Sequence, residues 1–276
     1  MHIETAINPI VRWAGSKRKL IDRIAPFFPG KFDRFVEPFL GSAAVALHVR
    51  APSALLSDRC ADLIETYKAI RDDPDAVITH LKPLKISEDR FYRIRDRKSP
   101  QTDRFKRAAE FVFLNKACWN GLYRVNKAGK FNVPYGAPKS DFVFDETDVR
   151  NFSAYLSKSG ISLTSRDFAQ TLRWSKEGDF VFLDPPYVTK HNYNGFADWN
   201  ERIFSWQDQV RLRDQVVRLT RVGAKVMVTN ANHESVRELY SDFHLTTIQR
   251  SSTLAAKGKF RGEVEELVIT NYEVES

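Results

Sequence analysis

The sequence predicts an α/β protein: a Rossmann-like sheet with helices on both faces, interrupted by an inserted, mainly helical subdomain that carries a β-hairpin. Three observations predict it. Short apolar runs that end in acidic or Pro/Gly turns alternate with segments of helical period. Phe180-Val181-Phe182-Leu183 is continuously apolar, the mark of a strand covered on both faces in a parallel sheet. Between about residue 72 and residue 158 the alternation lapses, which sets the boundaries at 1–71 and 159–276 for the sheet domain and 72–158 for the insertion.

In chain order, Phe35-Val36 is a short strand stopped at Glu37-Pro38, and Gly41-Ser42 opens the small-residue stretch Ala43 to Val49 as turn and helix. Ala54-Leu55-Leu56 repeats the plan. It ends at Ser57-Asp58, and Leu63, Ile64 and Tyr67 follow on the next helix. In the insertion, Asp89 to Arg107 holds eight Lys/Arg and three Asp/Glu, with Phe105, Ala109 and Val112 at helical spacing beyond. That basic run is either a surface for phosphates or a solvated helix face. The stretch Trp119 to Gly136 has two Asn/Gly punctuations flanking short extended segments, which predicts a hairpin. After the insertion, Phe180 to Leu183 is expected at the centre of the sheet. Leu212, Val216 and Leu219 mark a helix over 206–222, and Lys225 to Thr229 is the next buried strand. Phe243 to Ile248 and Val264 to Ile269 are the last strand candidates, joined by the polar stretch Ser251 to Gly262.

Composition bounds the function without naming it. With 276 residues, 42% of them hydrophobic and 28% charged, the chain is long enough for a sizeable core. The 43 Lys+Arg against 35 Asp+Glu leave a net charge of +8, which favours polyanionic partners. No apolar leader and no run of about 18 apolar residues is present, so a cytoplasmic protein off the membrane is expected. Cys60 and Cys118 have neither zinc-site spacing nor the density of a disulfide scaffold, and are expected to be reduced thiols with no metal.

Chemistry concentrates at Asp184-Pro185-Pro186-Tyr187, because strand carboxyl ends in open α/β sheets face the ligand crevice. An aromatic amine is a poor nucleophile, its lone pair delocalised into the ring. A carboxylate and a backbone carbonyl that accept its two hydrogens localise that pair, and Asp184 with the Pro185 carbonyl suits the task. The two prolines fix φ, and Tyr187 offers a face on which an everted base can stack for about 1–3 kcal/mol. The plainer alternative is a strand-ending turn with a packing tyrosine. Glu37-Pro38-Phe39-Leu40-Gly41-Ser42 is a second strand–turn–helix, and Gly41 allows close backbone approach there. A single glycine makes a poor pyrophosphate cradle, which suits a nucleoside cofactor without phosphate. Asp58, at the next strand end, is placed either for ribose hydroxyls or as a helix cap.

Taken in order, these motifs resemble the Dam family (class D12) of DNA adenine-N6 methyltransferases over nearly the whole chain. Trp13-Ala14-Gly15-Ser16-Lys17 stands for its WAGGK-type box, Glu37 to Gly41 for its cofactor loop and Ser57-Asp58 for its strand-end pair. Asn120 to Pro134 carries N-G-L-x-R-x-N-x-x-G-x-F-N-V-P, and the DPPY box follows. The resemblance implies a seven-stranded AdoMet-dependent methyltransferase sheet and methyl transfer from S-adenosyl-L-methionine to N6 of an adenine flipped out of double-stranded DNA, within GATC. It implies that Trp13, Lys17, Asp58 and Asp184 line the cofactor pocket. The full cofactor set read from the sequence adds Ala14, Glu37, Pro38, Phe39, Gly41, Ser42, Asp167 and Phe168.

For DNA, the resemblance places Arg124 against a guanine in the major groove, with Asn120, Leu122 and Pro134 beside it. Trp119 is an aromatic able to wedge into the duplex or, alternatively, to close the helix onto the hairpin. Arg12 and Asn126 complete the set. A monomer is expected, with a weak dimer on DNA as the alternative. The chain departs from the family pattern at Ser16, Ala43 and Cys60, each a point where cofactor binding is expected to weaken, and at Ala137-Pro138. Two rival readings are methylation of RNA adenine or a protein amide, which the hairpin and Arg124 argue against, and a methylase-derived DNA-binding module without catalysis.

Overall fold

The computed structural model describes residues 7–99, 101–141, 143–188, 204–251 and 263–274. Its strands are β1 (Arg34–Glu37), β2 (Ser53–Asp58), β3 (Gly160–Ser165), β4 (Asp179–Leu183), β5 (Lys225–Ala231), β6 (His244–Ser251) and β7 (Glu263–Thr270). They form one seven-stranded sheet in the order β3-β2-β1-β4-β5-β7-β6. The pairs β2–β3, β1–β4 and β4–β5 are parallel, whereas β7 runs antiparallel to both β5 and β6. This is the Rossmann-like sheet that the alternation predicts, and β4 stands at its centre with all five residues buried. The connection over residues 252–262 lies outside the described residues.

One strand escapes the sequence reading. β3, Gly160-Ile161-Ser162-Leu163-Thr164-Ser165, is an edge strand with only Leu163 buried, so it lacks the apolar run that marks its neighbours. Its register on β2 is set at Gly160, where a Cβ would lie 2.3 Å from the Pro52 carbonyl oxygen.

The chain divides into two compact units, residues 1–18 with 40–166 and residues 19–39 with 167–276. In the first, helices α2 (Ala44–Val49), α3 (Ala61–Asp72), α4 (Pro74–Leu81), α5 (Glu88–Arg95), α6 (Arg104–Ala117) and α7 (Glu146–Leu156) supply most of the core. Caps at Asp73, Ser87, Asp103 and Asp145 start four of them, each side chain accepting a backbone N–H of the first turn. The segment 72–158 lies wholly within this unit. Its hairpin is closed by the antiparallel bridges Cys118↔Tyr135 and Val125↔Phe131.

In the second unit, helices α1 (Ile21–Ile24), α8 (Phe168–Leu172), α9 (Trp206–Arg221) and α10 (Glu234–Leu239) accompany β1 and β4–β7. The rings of Phe28, Phe32 and Phe35 surround Phe180 at centroid distances of 5.4–5.5 Å. At the amino end of β4 the carboxylate of Asp179, fully buried, accepts two bonds from the Arg34 guanidinium at 3.0 and 2.7 Å and one from the Lys176 N–H at 2.9 Å. Because Arg34 pairs with Asp179 in register, this clamp fixes the two strands at the end opposite the DPPY turn.

Candidate active site

Within the first unit, the Gly41 end of the cofactor loop is held by a set of short bonds. Gly41 takes φ +47°, and a Cβ there would come 2.8 Å from Cδ1 of Trp13, so the close approach that demands glycine is made by the indole of the WAGSK box. The Gly41 N–H donates to the Asp58 carboxylate at 2.9 Å, and its carbonyl accepts the Tyr67 hydroxyl at 2.8 Å. A second Asp58 oxygen accepts the Cys60 N–H at 2.8 Å, so Asp58 ties the end of β2 to the loop and to the start of α3. Burial pushes this carboxyl above the ordinary range, and the backbone donors Cys60, Gly41 and Arg59 pull it partly back. Asp58 thus organises the loop, and its bond goes to the Cys60 N–H ahead of α3 and not to a first-turn amide of that helix.

One of the departures from the family pattern meets the cofactor loop. The hydroxyls of Ser16 and Ser42 are 2.7 Å apart, joining the WAGSK turn to the cofactor loop. Lys17 is buried and donates to the Gly15 carbonyl at 3.0 Å. Ala43 is fully buried in the left-handed conformation, φ +60°, so its methyl packs against protein. Burial raises the Cys60 thiol to about 12, which keeps it protonated. Ala14 is exposed.

The remaining cofactor candidates lie in the second unit. Glu37 and Pro38 are buried at the end of β1. Phe39 stacks on Phe168 at 5.4 Å, and Phe204 meets both rings at 5.7 and 5.8 Å. Asp167 caps α8 through the Ala169 N–H and receives Arg211 at 2.9 Å, while the same guanidinium lies 4.4 Å over the Phe168 ring.

At the carboxyl end of β4, Asp184, Pro186 and Tyr187 are half-buried and Pro185 is buried. The Thr229 hydroxyl donates to Asp184 Oδ1 at 2.7 Å, and the Tyr187 hydroxyl donates to Glu266 Oε2 at 2.8 Å. Both supports come from later strands of the same sheet, Thr229 from β5 and Glu266 from β7. Burial, with the Asp184 and Glu266 charges, holds the Tyr187 phenol well above its usual range, so it remains a donor.

One buried amide joins Arg12 to the turn that follows α6. Asn115, on α6, accepts the Arg12 N–H at 2.7 Å and donates to the carbonyls of Arg12 and Gly121 at 2.7 and 3.2 Å. Gly121 is in direct contact with Arg12, a Cβ there lying 2.4 Å from the Arg12 Cβ. Arg12 is therefore brought to the Trp119–Gly121 turn, whose Asn120 takes φ +54° and whose Trp119 is 45% exposed. Leu122 is half-buried and Pro134 exposed, the latter accepting the Trp119 N–H at 3.0 Å. Arg124 is held on the hairpin surface by the Asn132 side chain at 2.8 Å. The Asn126 side-chain oxygen accepts the N–H groups of Ala128 and Lys130, which shapes the hairpin turn. Tyr123 anchors the hairpin from below: it stacks on Trp13 at 5.7 Å and donates to Asp62 at 2.6 Å. Within the basic run, Arg97 forms a bidentate pair with Glu110, Arg95 pairs with Asp96 and Arg104 with Asp72, so these three are committed to internal partners.

Sequence reasoning passes over Asn115, Tyr67, Tyr123, Thr229 and Glu266. Asn115 leaves a trace, a polar residue three beyond Val112 on the buried stripe of α6. Glu266 leaves another, an acid beginning the buried run Leu267-Val268-Ile269.

Residues 13–254 match the family described as D12 class N6 adenine-specific DNA methyltransferase. The chain belongs to that family. A type II methyltransferase of Lactococcus lactis subsp. cremoris, M1.LlaDCHI, is 33% identical over 272 residues, covering 96% of each chain. M.MjaIII of Methanocaldococcus jannaschii, also a type II methyltransferase, is 32% identical over 96% of this chain and 99% of its own. A DNA adenine methylase of Haemophilus influenzae is 28% identical over 95% of this chain and 92% of its own. This D12 methyltransferase is accordingly an enzyme that modifies adenine in DNA. Among the described residues no helix is long and apolar enough to cross a membrane.

Proposed function

We propose that this D12 enzyme moves a methyl group from S-adenosyl-L-methionine to N6 of an adenine everted from duplex DNA, with Asp184, Pro185, Pro186 and Tyr187 as the receiving site. The carrying observation is the placement of that box: a half-buried carboxylate and phenol at the carboxyl end of the central strand, the first held by a bond from the neighbouring strand β5 and the second by a bond from β7 beyond it. The Asp184 carboxylate and the Pro185 carbonyl accept the amino hydrogens of the base and localise the nitrogen lone pair, while Tyr187 stacks on its ring. Unstacking and unpairing a base costs a few kcal/mol, and stacking on an aromatic returns about 1–3 kcal/mol of it.

The cofactor loop suits this donor. Its acid, Asp58, is half-buried at a strand end, and its one tight glycine is already occupied by Trp13, so it offers no cradle for phosphate. A phosphate-free nucleoside bearing positive charge fits that chemistry. S-adenosyl-L-methionine supplies an electrophilic methyl on a sulfonium, and Trp13, Lys17, Gly41, Ser42 and Asp58 are the first-unit residues that would hold it. Catalysis by the chain is positioning and electrostatics, with no covalent enzyme intermediate.

Arg124, with Arg12, Trp119, Asn120, Leu122, Asn126 and Pro134, is proposed to read DNA from segment 72–158 and its neighbour at residue 12, with GATC as the site. In a labelled-AdoMet assay on duplex DNA, Asp184→Ala is expected to abolish transfer while DNA binding persists, and near-normal turnover would refute the assignment. Single-molecule sequencing of DNA from expressing cells reports the motif, and adenine methylation at a site other than GATC would refute that finer reading.

A further inference from the structure

The box at the end of β4 is held from a strand that follows it by some eighty residues, and the holding group is an unusual one. Glu266 is 1% exposed, in a run where Leu267, Val268 and Ile269 are all buried and apolar. In register it lies between Ala231 of β5 and Ile248 of β6. Core packing alone asks for an apolar side chain there, because a carboxylate withdrawn from water carries a heavy desolvation cost. Its hydrogen-bond partner is the Tyr187 hydroxyl at 2.8 Å, a charge-assisted bond between a phenol and a carboxylate. The Thr229 hydroxyl, which grips Asp184, also lies beside the Tyr187 phenol, so Asp184, Thr229, Tyr187 and Glu266 form one connected polar chain.

A tyrosine ring has two soft torsions. At its backbone end Tyr187 follows two prolines, whose fixed φ limits how the chain can turn. At its far end the hydroxyl is pinned by Glu266. Cβ and the phenol oxygen lie on the ring's own rotation axis, so the two anchors fix that axis; because a phenol O–H prefers the plane of its ring, the direction of the bond to Glu266 also favours one ring plane before any base arrives.

We infer that Glu266 is a positioning residue for methyl transfer, which sets the plane of Tyr187 and thereby the stacking platform for the target adenine. This rests on the reading of Asp184–Tyr187 as the receiving site. Misplacing a reacting group by about 1 Å can cost on the order of a hundredfold in rate, so loss of the pin acts on the chemical step. Cofactor affinity is expected to stay within about twofold.

A double-mutant cycle separates the possibilities. Glu266→Leu removes the acceptor and relieves the buried charge, which protects the fold, and Tyr187→Phe removes the donor and keeps the ring. Each single variant is expected to slow single-turnover methylation by roughly ten- to hundredfold. The double variant should be no slower than the slower single one. Glu266→Gln keeps an oxygen acceptor and should recover most of the rate. AdoMet affinity, measured by calorimetry, should stay near the parent value throughout. If Glu266→Leu slows the Tyr187→Phe background as much as the parent, or if Glu266→Gln is as slow as Glu266→Leu, the positioning role is overturned. Asp184→Ala is run alongside. Turnover in that variant removes the receiving site and this inference together, whereas its inactivity with an additive cycle removes the inference alone.

Discussion

Ala43 shows how a departure at one residue can act through the backbone. It holds φ +60° at the start of α2, a conformation that costs an L-residue about 1–2 kcal/mol relative to glycine. Against this stands its fully buried methyl, worth about 0.8 kcal/mol. The first effect is the larger, so Ala43→Gly is expected to stabilise the protein by up to about 1 kcal/mol, read as a higher urea midpoint at unchanged slope. A lower midpoint would mean that methyl packing outweighs strain. Ser16, the neighbouring departure, brings a hydroxyl that a second glycine would lack, and it spends that hydroxyl on Ser42.

At the scale of elements, strand pairing divides holding from doing. The Arg34–Asp179 clamp lies at the amino end of the β1–β4 pair, and the DPPY turn at the carboxyl end. Arg34→Met leaves a fully buried carboxylate without its cation, and removal of one partner of such a pair costs about 3–5 kcal/mol. Thermal unfolding should report that loss, while turnover at a permissive temperature stays near the parent value. Replacing both partners, Arg34→Met with Asp179→Leu, should restore much of the stability; a double variant as unstable as the single one would place the clamp's value in its bonds to Lys176 and Trp174 instead. The hairpin follows the same division. Tyr123 and Asn115 seat it from beneath, and Trp119, Asn120, Arg124 and Pro134 are left on its surface.

For the whole molecule, the surplus of +8 has a local cost inside the first unit. Lys116, in the last turn of α6, is pushed down to about 8, first by burial and then by the Arg12 and Arg18 charges, with Asp148 opposing. A lysine depressed in the folded state destabilises it fully below that value, where both states carry the proton. The penalty fades as pH rises from about 8 and is gone above the unfolded value of 10.5, where neither does. Lys116→Met should therefore raise the melting temperature at pH 7, with a gain that shrinks between pH 8 and 10. A gain independent of pH would assign the effect to packing. Lys116 thus adds to a local gathering of positive charge with Arg12 and Arg18 in the first unit.

The central strand, the order of boxes and the class of chemistry were legible in the sequence because each is a local pattern: four apolar residues in a row, a glycine after a strand, a rigid acid-bearing turn. The edge strand β3 was not, since one buried residue in six carries no periodic signal. Nor were the supports of the site. Glu266 reaches Tyr187 across 79 positions, and Asn115 gathers Arg12 across 103. By itself the sequence determined the fold class and the family, which rest on short-range patterns of burial and turn chemistry. Only the tertiary structure decided which groups hold the reactive ones in place, because a hydrogen bond between distant strands depends on register, and register belongs to the assembled sheet.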